Sequence, residues 1–420
     1  MQLRVEPGTS LMDDPPRWFV DDVPAGSSVR LSILGADGAG HEWSSTAPHT
    51  VGDDGRLLIS DLDSPWSTMR FIDVHTAPVT FTPPPVKWQC SAQVEVDGQV
   101  ARRNLTRTWG PSVDPAELAG PGWLARCWFP TGDAAAPGVL VIPGSTGVAA
   151  VAPTAALLAA HGYSAAVLGY MAEAGLPDSM RGIPVEIVEQ AVAAFAAHDR
   201  VDAGRTAVWA VSVGTGLALS ALAGGGLSVA AVVAGAPTSV VWQALGADGP
   251  PPKASTLTRG GQDLPWQGIH GEVLLPQVIK HAITGKLPGR PRSTAMRLLN
   301  AYAKGLDHDP VTAAVIPVER IDAPLLLIAG TADEMWPSEQ MATAIYHRRR
   351  QAGVGGGDQL LILPDAGHFL RPPGIPATVN HNDGLVSGGT PEGNARGART
   401  AWNVALAFLA ASTTGPGGTA

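Results

Sequence analysis

The sequence predicts an α/β protein in which a smaller all-β sandwich domain precedes a larger α/β domain with a mainly parallel sheet. Two patterns carry this prediction: short alternating apolar segments between turn residues up to about residue 100, and alternating strand and helix patterns after residue 105. The 420 residues leave room for both units, since a typical domain has about 100 to 200 residues. We expect the sandwich over residues 1–110 and the α/β domain over residues 111–420.

The first domain is predicted from β-type alternation. Apolar residues alternate with polar ones over residues 28–33, and shorter apolar segments cover residues 17–20 and 57–59. Asp97-Gly98, flanked by alternating valines, is a strong signal for a tight hairpin turn. Nothing in this region indicates catalysis.

The second domain is predicted from repeated strand and helix units. Such repeats give a parallel sheet with helices on both faces. Between about residues 246 and 300 the pattern lapses into Pro/Gly-rich sequence with an amphipathic segment at 273–283, which we interpret as an insertion capping the sheet edge. The predicted strands cover residues 138–142, 164–168, 206–211, 229–233, 325–328 and 360–363, and the predicted helices cover residues 152–161, 185–195 and 217–223.

Composition and charge exclude several classes of protein. With 45% hydrophobic and 15% charged residues, the chain is not disordered, collagen-like or a coiled coil. The net charge of −9 argues against nucleic-acid or anionic-membrane partners. Two cysteines cannot build a disulfide framework, and no secretory signal is evident, so we expect a cytoplasmic protein. The oligomeric state stays open.

One stretch resembles a membrane span. No charged residue occurs over residues 206–247, which is long enough to cross a bilayer. Gly224-Gly225-Gly226 and Pro237 interrupt it, however, and its hydrophobic period changes within the stretch. A buried strand, a helix and a second strand fit this pattern better.

The strongest candidate for a nucleophile is Ser212, in the run Ala210-Val211-Ser212-Val213-Gly214. A nucleophile elbow places its serine on a strained strand-to-helix turn, and small residues two positions away on each side let strand and helix approach closely. Here an apolar strand precedes the serine and an apolar helix follows it. Ala210 stands where the G-x-S-x-G pattern has its first glycine.

An acid and a histidine follow in the order that an α/β-hydrolase requires. Asp333 comes after the strand at 325–328, and His368 comes after the strand at 360–363. Glu334 is an alternative acid, but the place three residues after Gly330 favours Asp333. Asp365 fits a turn. We therefore predict a triad of Ser212, Asp333 and His368.

The loop Pro143-Gly144-Ser145-Thr146-Gly147 follows the first strand of the parallel sheet and is the candidate oxyanion loop. We predict that Ser145 and the backbone N–H of Val213 form the oxyanion hole, and that Gly144 and Thr146 bind substrate. A phosphate cradle is the alternative, but the G-K-[ST] of a nucleotide site is missing.

Other charged groups carry weaker hypotheses. Asp307-His308-Asp309 could suggest a metal, but no further ligand cluster accompanies it, so we expect neither a metal nor a cofactor. Arg348-Arg349-Arg350 would be a solvated helix face or, less readily, a contact for substrate phosphates. The same alternatives apply to the basic residues of the insertion, which are Lys280, Lys286, Arg290, Arg292 and Arg297.

Several short runs occur together along nearly the whole chain. They are Val5-Glu6-Pro7, Pro24-Ala25-Gly26, His41-Glu42-Trp43-Ser44-Ser45, Ile316-Pro317-Val318-Glu319-Arg320, Gly330-Thr331-Ala332-Asp333-Glu334-Met335-Trp336, Gly367-His368-Phe369-Leu370-Arg371-Pro372-Pro373 and Gly388-Gly389-Thr390-Pro391-Glu392. In these runs and in its domain order, the chain resembles the family that joins acyl-CoA thioesterases with bile acid CoA:amino acid N-acyltransferases.

This resemblance implies acyl transfer from a thioester, acyl-CoA or carrier-bound, through an acyl-enzyme on Ser212, with Asp333 and His368 completing the triad. Amino-acid-conjugating members of the family carry a cysteine nucleophile, whereas hydrolysing members usually carry serine. We therefore expect a serine-dependent acyl thioester hydrolase. The alternatives are an acyltransferase or cyclase that passes the acyl group to an amine or hydroxyl, and a non-catalytic acyl-binding protein.

Overall fold

The computed structural model describes residues 1–72, 80–110, 116–245, 252–284, 295–368, 371–379, 381–382 and 384–413, with side chains except those of 281–284, 381 and 382. Nine of the ten elements described in the N-terminal β region, residues 1–110, are strands. In chain order its elements are β1 (Gln2–Glu6), β2 (Thr9–Leu11), β3 (Arg17–Asp21), β4 (Ser28–Ala36), β5 (Glu42–Val51), β6 (Leu57–Leu58), α1 (Ser64–Ser67), β7 (Arg70–Phe71), β8 (Lys87–Val96) and β9 (Gln99–Thr108).

Two sheets make up the N-terminal β region. The larger has the order β2-β9-β8-β4-β5-β6, with β7 also pairing with β5, and the smaller joins β1 to β3. The predicted hairpin at Asp97-Gly98 is confirmed: both residues have positive φ, and β8 and β9 pair antiparallel along their whole length. The strand predicted at 28–33 is longer, because its alternation of buried and exposed residues continues to Ala36.

An aromatic core joins these two sheets. Trp18 of β3 and Trp88 of β8 both contact Trp66, with ring centroids 6.1 and 5.8 Å apart. The guanidinium of Arg107 lies 4.6 Å from the ring centroid of Trp66 and donates hydrogen bonds to Ser10 and to the carbonyl of Met12. One shared core between two sheets is what the sandwich prediction requires, although the second sheet has only two strands.

The C-terminal α/β region, from residue 116 to 413, contains the remaining elements. They are β10 (Ala116–Gly120), β11 (Trp123–Trp128), β12 (Ala136–Ile142), α2 (Val148–Ala160), β13 (Ser164–Gly169), β14 (Ile183–Pro184), α3 (Glu186–Ala196), β15 (Val201–Val211), α4 (Val213–Ala223), β16 (Val232–Gly235), β17 (Leu257–Arg259), β18 (Gln262–Asp263), α5 (Leu275–Thr284), α6 (Leu299–His308), β19 (Leu325–Gly330), α7 (Ser338–Gln351), β20 (Gln359–Leu363), β21 (His381–Asn382), β22 (Leu385–Val386) and α8 (Pro391–Thr413).

Eight of these strands form one sheet in the order β10-β11-β13-β12-β15-β16-β19-β20. β11 runs antiparallel to both of its neighbours, and every pairing from β13 to β20 is parallel. This is an α/β-hydrolase sheet, as predicted. Because its parallel strands end at one edge, the loops after β12, β15, β19 and β20 meet there.

The uncharged stretch at 206–247 lies largely inside this sheet region, as β15, α4 and β16. All of α4 after Val213 is buried, so the helix is apolar on every side because it is covered by protein. Among the residues described, no helix combines the length and the hydropathy needed to cross a bilayer.

The predicted sheet-edge cap was wrong for the described part of the insertion. β17 pairs in parallel with β14 and antiparallel with β18, which gives a small three-stranded sheet. Arg259 ties this sheet to the helices, because it donates to Glu189 of α3 at 3.1 Å and to the carbonyl of Ser220 in α4 at 3.4 Å. Residues 246–251 and 285–294 of the insertion lie outside the described residues.

Polar contacts connect the N-terminal β region to the α/β region. Oδ2 of Asp13 accepts hydrogen bonds from Nε2 of His161 at 2.5 Å and from Nε1 of Trp402 at 2.7 Å. Arg399 forms a two-pronged ion pair with Asp63 at 2.7 and 2.6 Å. Although burial acts to raise the pKa of Asp13, the hydrogen bonds from His161 and Trp402 hold it below its usual value, and the bond to Asp13 raises the pKa of His161.

We predict that His161→Gln lowers the melting temperature more at about pH 6 than at about pH 8.5. The raised pKa of His161 means that its stabilising charge is fully present below the unfolded pKa and is lost as the pH rises through the folded value. The side chain of His161 is one-third exposed, so solvent screens its charge. The loss in free energy of unfolding should therefore differ between the two pH values by about 1 kcal/mol at most. His347→Gln, at an exposed histidine, is the matched control in thermal unfolding. An equal loss at both pH values would contradict the prediction.

Candidate active site

Ser212 occupies a strained turn between β15 and α4. Its backbone has φ 54° and ψ −130°, outside the usual regions for a residue with a Cβ. Two hydrogen bonds hold this turn. The backbone N–H of Ser212 donates to the carbonyl of Gly235 at 2.9 Å, and the carbonyl of Ser212 accepts from the hydroxyl of Thr215 at 2.6 Å. The hydroxyl of Thr215 also accepts the N–H of Thr238 at 3.1 Å. The elbow is thereby fastened to β16 and the loop that follows it.

The residues two positions from Ser212 explain how strand and helix can approach. A Cβ at position 214 would clash with the carbonyl oxygen of Pro143 and would lie 2.7 Å from that of Ile142, so only glycine fits. On the other side, Ala210 is fully buried in the same apolar core as Leu217. A methyl group is accommodated there, which accounts for alanine at the position of the first glycine.

The structure brings Ser212, His368 and Asp333 together. Nε2 of His368 lies 2.8 Å from Oγ of Ser212, and Nδ1 of His368 lies 2.8 Å from Oδ2 of Asp333. His368 and Asp333 are buried, whereas Ser212 is partly accessible. In this arrangement the imidazole can accept the serine proton at Nε2 while Nδ1–H stays bonded to the carboxylate.

Asp333, not its neighbour Glu334, faces the imidazole. The second oxygen of Asp333 accepts the backbone N–H groups of Met335 at 2.8 Å and Trp336 at 3.2 Å. Glu334 instead pairs with the largely exposed guanidinium of Arg297 at 3.3 Å. The geometry therefore agrees with the choice of Asp333 made from sequence spacing.

A glycine-containing strap, residues 387–389, links the acid loop to the histidine loop. The carbonyl of Ser387 accepts the N–H of His368 at 2.8 Å, and Gly388 forms a β-bridge with Asp333. Gly388 has φ 82°, and a Cβ there would clash with the carbonyl oxygen of Ala332. The strap therefore fixes the separation of the two loops. The sequence did not predict this role for residues 387–389.

The predicted oxyanion loop lies beside Ser212. A Cβ at Gly144 would be 3.0 Å from the Cβ of Ser212, and the hydroxyl of Tyr170 donates to the carbonyl of Pro143 at 2.8 Å. Burial raises the pKa of Tyr170, so the hydroxyl stays a neutral donor that anchors the loop. The exposed residues Ser145 and Thr146 follow at the surface.

Val213 is the first residue of α4, so its N–H belongs to the unpaired N-terminal turn of a helix. That position suits an oxyanion donor. The binding roles of Gly144, Ser145, Thr146 and Val213 stay predictions.

The two cysteines and the arginines at 348 and 349 are accounted for by burial, ion pairs and hydrogen bonds. Burial raises the pKa of the Cys90 and Cys127 thiols to about 12, so neither is an activated thiolate. Arg349 is fully buried and binds Asp358 and three carbonyls, so the prediction of a solvated or phosphate-binding face was wrong for this residue. Arg348 pairs with Glu319 at 2.6 Å.

The possible metal motif at 307–309 also has other partners. Oδ1 of Asp307 accepts from Gln340 at 3.4 Å, and Oδ2 of Asp309 lies 3.0 Å from Nε2 of His270. Over the described residues, no group of three or more His, Cys, Asp or Glu side chains is arranged to hold a metal ion.

Sequence reasoning missed Trp336 and an apolar pocket beside it. The indole of Trp336 packs edge-on against the His368 imidazole, with ring centroids 5.4 Å apart. A tryptophan three residues after the predicted acid is visible in the sequence. The pocket has no such signal, because its walls come from segments far apart in the chain.

Comparisons with known proteins identify the family of the chain. A family model described as "BAAT / Acyl-CoA thioester hydrolase C terminal" matches residues 183–415, more than half of the chain. The chain is 25% identical to mouse (Mus musculus) acyl-coenzyme A thioesterase 6 over 293 residues, which are 68% of this chain and 62% of that protein. It is 22% identical to mouse acyl-coenzyme A amino acid N-acyltransferase 2 over 404 residues, 90% of this chain and 88% of that protein.

Solved structures include a similar fold. The α/β hydrolase GrgF from Penicillium sp. sh18 has a TM-score of 0.44 and 15% identity, over 72% of this chain and 99% of that one. The fold assignment itself rests on the strand order described above. From the family match over residues 183–415, the chain belongs to the BAAT and acyl-CoA thioester hydrolase family, as the sequence resemblance indicates.

Proposed function

We propose that the chain is a serine-dependent acyl thioester hydrolase that works through an acyl-Ser212 intermediate. The main support is the pair of hydrogen bonds that joins Ser212 Oγ to His368 Nε2 and His368 Nδ1 to Asp333 Oδ2, each 2.8 Å long. Family membership supports a thioester as the substrate. The alignment with the thioesterase relative spans only 62% of that protein, so the activity of the whole chain is part of this proposal.

The proposed reaction has two half-reactions. His368 Nε2 takes the proton of Ser212 as its Oγ bonds to the acyl carbon, and the N–H groups of Val213 and Ser145 stabilise the oxyanion. The carbon–sulfur bond then breaks, and His368 returns the proton to the leaving thiolate. A water molecule next attacks the acyl ester, giving its proton to His368, which passes it to Ser212 as the free acid leaves.

The second candidate is an acyltransferase. The relative named an amino acid N-acyltransferase aligns with 90% of this chain, more than the thioesterase relative does. The nucleophile argues for hydrolysis instead, because an oxygen ester is less activated toward amines than a thioester is. A non-catalytic acyl-binding role has no support from the site, since all three triad groups are present and bonded. The cytoplasmic location stays a prediction.

Ser212→Ala is expected to abolish both labelling by a fluorophosphonate probe and thiol release from acyl-CoA. The substitution removes the atom that attacks the acyl carbon, and it keeps the hydrogen bonds of the turn, because these come from the backbone at this position. Mass spectrometry of labelled peptides and a thiol-release assay measure the two effects. Unchanged turnover in the alanine variant would refute the assignment of Ser212.

Asp333→Asn is expected to reduce kcat/KM by on the order of a thousandfold or more, since an amide favours the wrong histidine tautomer. Glu334→Gln is the matched control on the neighbouring residue, which pairs with Arg297 at the surface, and we expect a loss of less than about tenfold. Steady-state kinetics on both variants make the comparison. The reverse order of losses would make Glu334 the acid.

Product partition separates the hydrolase from the transferase. We predict mainly free acid, with little change when glycine or taurine is added at millimolar concentration, because acyl-Ser212 is a weakly activated ester. Mass spectrometry of the products with and without the amines gives the ratio. Predominant amide, or an intramolecular lactone, would favour the acyltransferase or cyclase.

A further inference from the structure

One side chain bonds to the histidine loop and to the strap at the same time. Oδ1 of Asn394, in the first turn of α8, accepts the backbone N–H of Gly367 at 2.8 Å, and its Nδ2 donates to the carbonyl of Gly388 at 3.3 Å. Gly367 immediately precedes His368, and Gly388 forms the β-bridge to Asp333. The carboxamide of Asn394 is therefore bonded to the residue before the imidazole and to the residue paired with the acid.

The two hydrogen bonds require a carboxamide. Gly367 offers a backbone donor and Gly388 a backbone acceptor, so the side chain between them must accept at one atom and donate at another. Asparagine does both, whereas an ionised aspartate of the same shape can only accept, and a leucine of similar size can do neither. Asparagine is also less favourable than alanine or leucine within a helix, so these tertiary bonds account for its place in α8.

The strap leaves room for this carboxamide. Gly389 has φ 76°, and a Cβ at this position would clash with Oδ1 of Asn394 and would lie 2.5 Å from the backbone N of Gly367. The strap can therefore approach both bonded groups only because residue 389 is a glycine.

The start of α8 packs directly on the turn before His368. A Cβ at Gly393 would clash with the carbonyl oxygen of Asp365. The same carbonyl accepts the N–H of Thr390 at 2.9 Å, and the hydroxyl of Thr390 caps the helix by accepting the N–H of Gly393 at 2.9 Å. The first turn of α8 is therefore held to the histidine loop by contacts that do not involve the side chain of Asn394.

α8 also contacts the strand that leads to Ser212. Trp402, farther along the helix, packs on Trp209 of β15 with ring centroids 5.7 Å apart, and β15 ends at the residue before Ser212. One helix of 23 residues is thus in contact with the histidine loop, the strap and this strand. A side chain that ties the loop and the strap to α8 therefore also sets their position relative to Ser212.

We propose that Asn394 is a positioning residue of the triad, which holds the histidine loop and the strap on α8 and so keeps the imidazole of His368 aligned with its two triad partners. The proposal rests on the proposed function, because it assigns Asn394 a part in the same reaction. Since both of its hydrogen bonds described above go to backbone atoms, Asn394 acts through the loops and not on the substrate.

Three variants test this role. Asn394→Leu removes both hydrogen bonds and keeps a similar side-chain volume. Asn394→Asp keeps the acceptor for Gly367, but at about pH 8 it is ionised and cannot donate to Gly388. Asn403→Leu, the same change at an exposed position of α8, is the matched control. Circular dichroism establishes that each variant is folded.

The first measurement is turnover of p-nitrophenyl acetate per active site, with the sites counted by reaction with a fluorophosphonate. For Asn394→Leu we expect kcat per site to fall by about tenfold or more, because small displacements of the reacting groups slow the reaction strongly, whereas KM should change by less than about twofold. Asn394→Asp should lie between this variant and the wild type, and Asn403→Leu should match the wild type. A purely structural role would lower the number of active sites and leave kcat per site unchanged.

The second measurement is proton NMR, which needs no substrate. The proton on Nδ1 of His368, 2.8 Å from Oδ2 of Asp333, should give a low-field resonance in the wild type, and its loss in Asp333→Asn assigns it. We expect this resonance to broaden or vanish in Asn394→Leu and to persist in Asn403→Leu. This result would support the positioning role even if Ser212→Ala kept its turnover, in which case only the proposed function would fail.

Wild-type kcat per site together with an unchanged resonance in folded Asn394→Leu would overturn the proposal and leave the triad assignment intact. Equal losses in Asn403→Leu would overturn it too, because the effect would then belong to the helix as a whole. If Asn394→Leu does not fold, Asn394→Asp decides: a reduced kcat per site with a weakened resonance supports the positioning role, and wild-type values for both overturn it.

Discussion

The crossing of α4 over the ends of β12 and β15 is the constraint on which the site depends. Gly214 allows this crossing, because its missing side chain leaves room for the carbonyls of Pro143 and Ile142. The same approach puts Gly144 against Ser212 and leaves the first turn of α4 open beside it. The positive φ of Ser212 costs about 1 to 3 kcal/mol, and the hydrogen bonds to Gly235 and Thr215 offset it. The proposed nucleophile, the loop after β12 and the first turn of α4 are therefore positioned by one packing contact.

The proximity of the three proposed triad residues could be predicted because each follows a strand of a parallel sheet. Buried parallel strands are short continuous apolar runs, which are visible in a sequence, and their carboxyl ends share an edge. Because of this shared edge, the sequence alone is enough to predict that Ser212, Asp333 and His368 lie close together. In the structure it is Asp333, and not Glu334, that faces His368, and Asp333 is also held by a β-bridge to Gly388, a residue remote in sequence.

Features that depend on a distant partner could not be predicted. β14 has two residues and no period of its own, and it exists because Ile183 pairs with Leu257 of the insertion. Arg349 looks like its exposed neighbours Arg348 and Arg350, but it is enclosed by Asp358 and by backbone carbonyls. The sequence of an arginine run does not show which arginine pairs with a buried carboxylate, because that depends on tertiary packing.

The N-terminal β region supplies none of the proposed reacting groups, and its contacts with the site region are structural. Asp13 binds the indole N–H of Trp402, and Trp402 packs on Trp209 of β15, the strand that ends at Ser212. On the other side, the chain beyond His368 is fixed to α1, because the N–H of Ala377 donates to the carbonyl of Ser67. The β region therefore contacts elements on both sides of the candidate site: the helix that packs on the strand before Ser212, and the segment after His368. The two regions have separate sheets but share one extensive apolar core, which includes Trp209, Ile328 and Leu363 of the strands that precede Ser212, Asp333 and His368. Because a hydrogen-bonded site of this kind tolerates little displacement, packing that fixes these three strands also fixes its geometry.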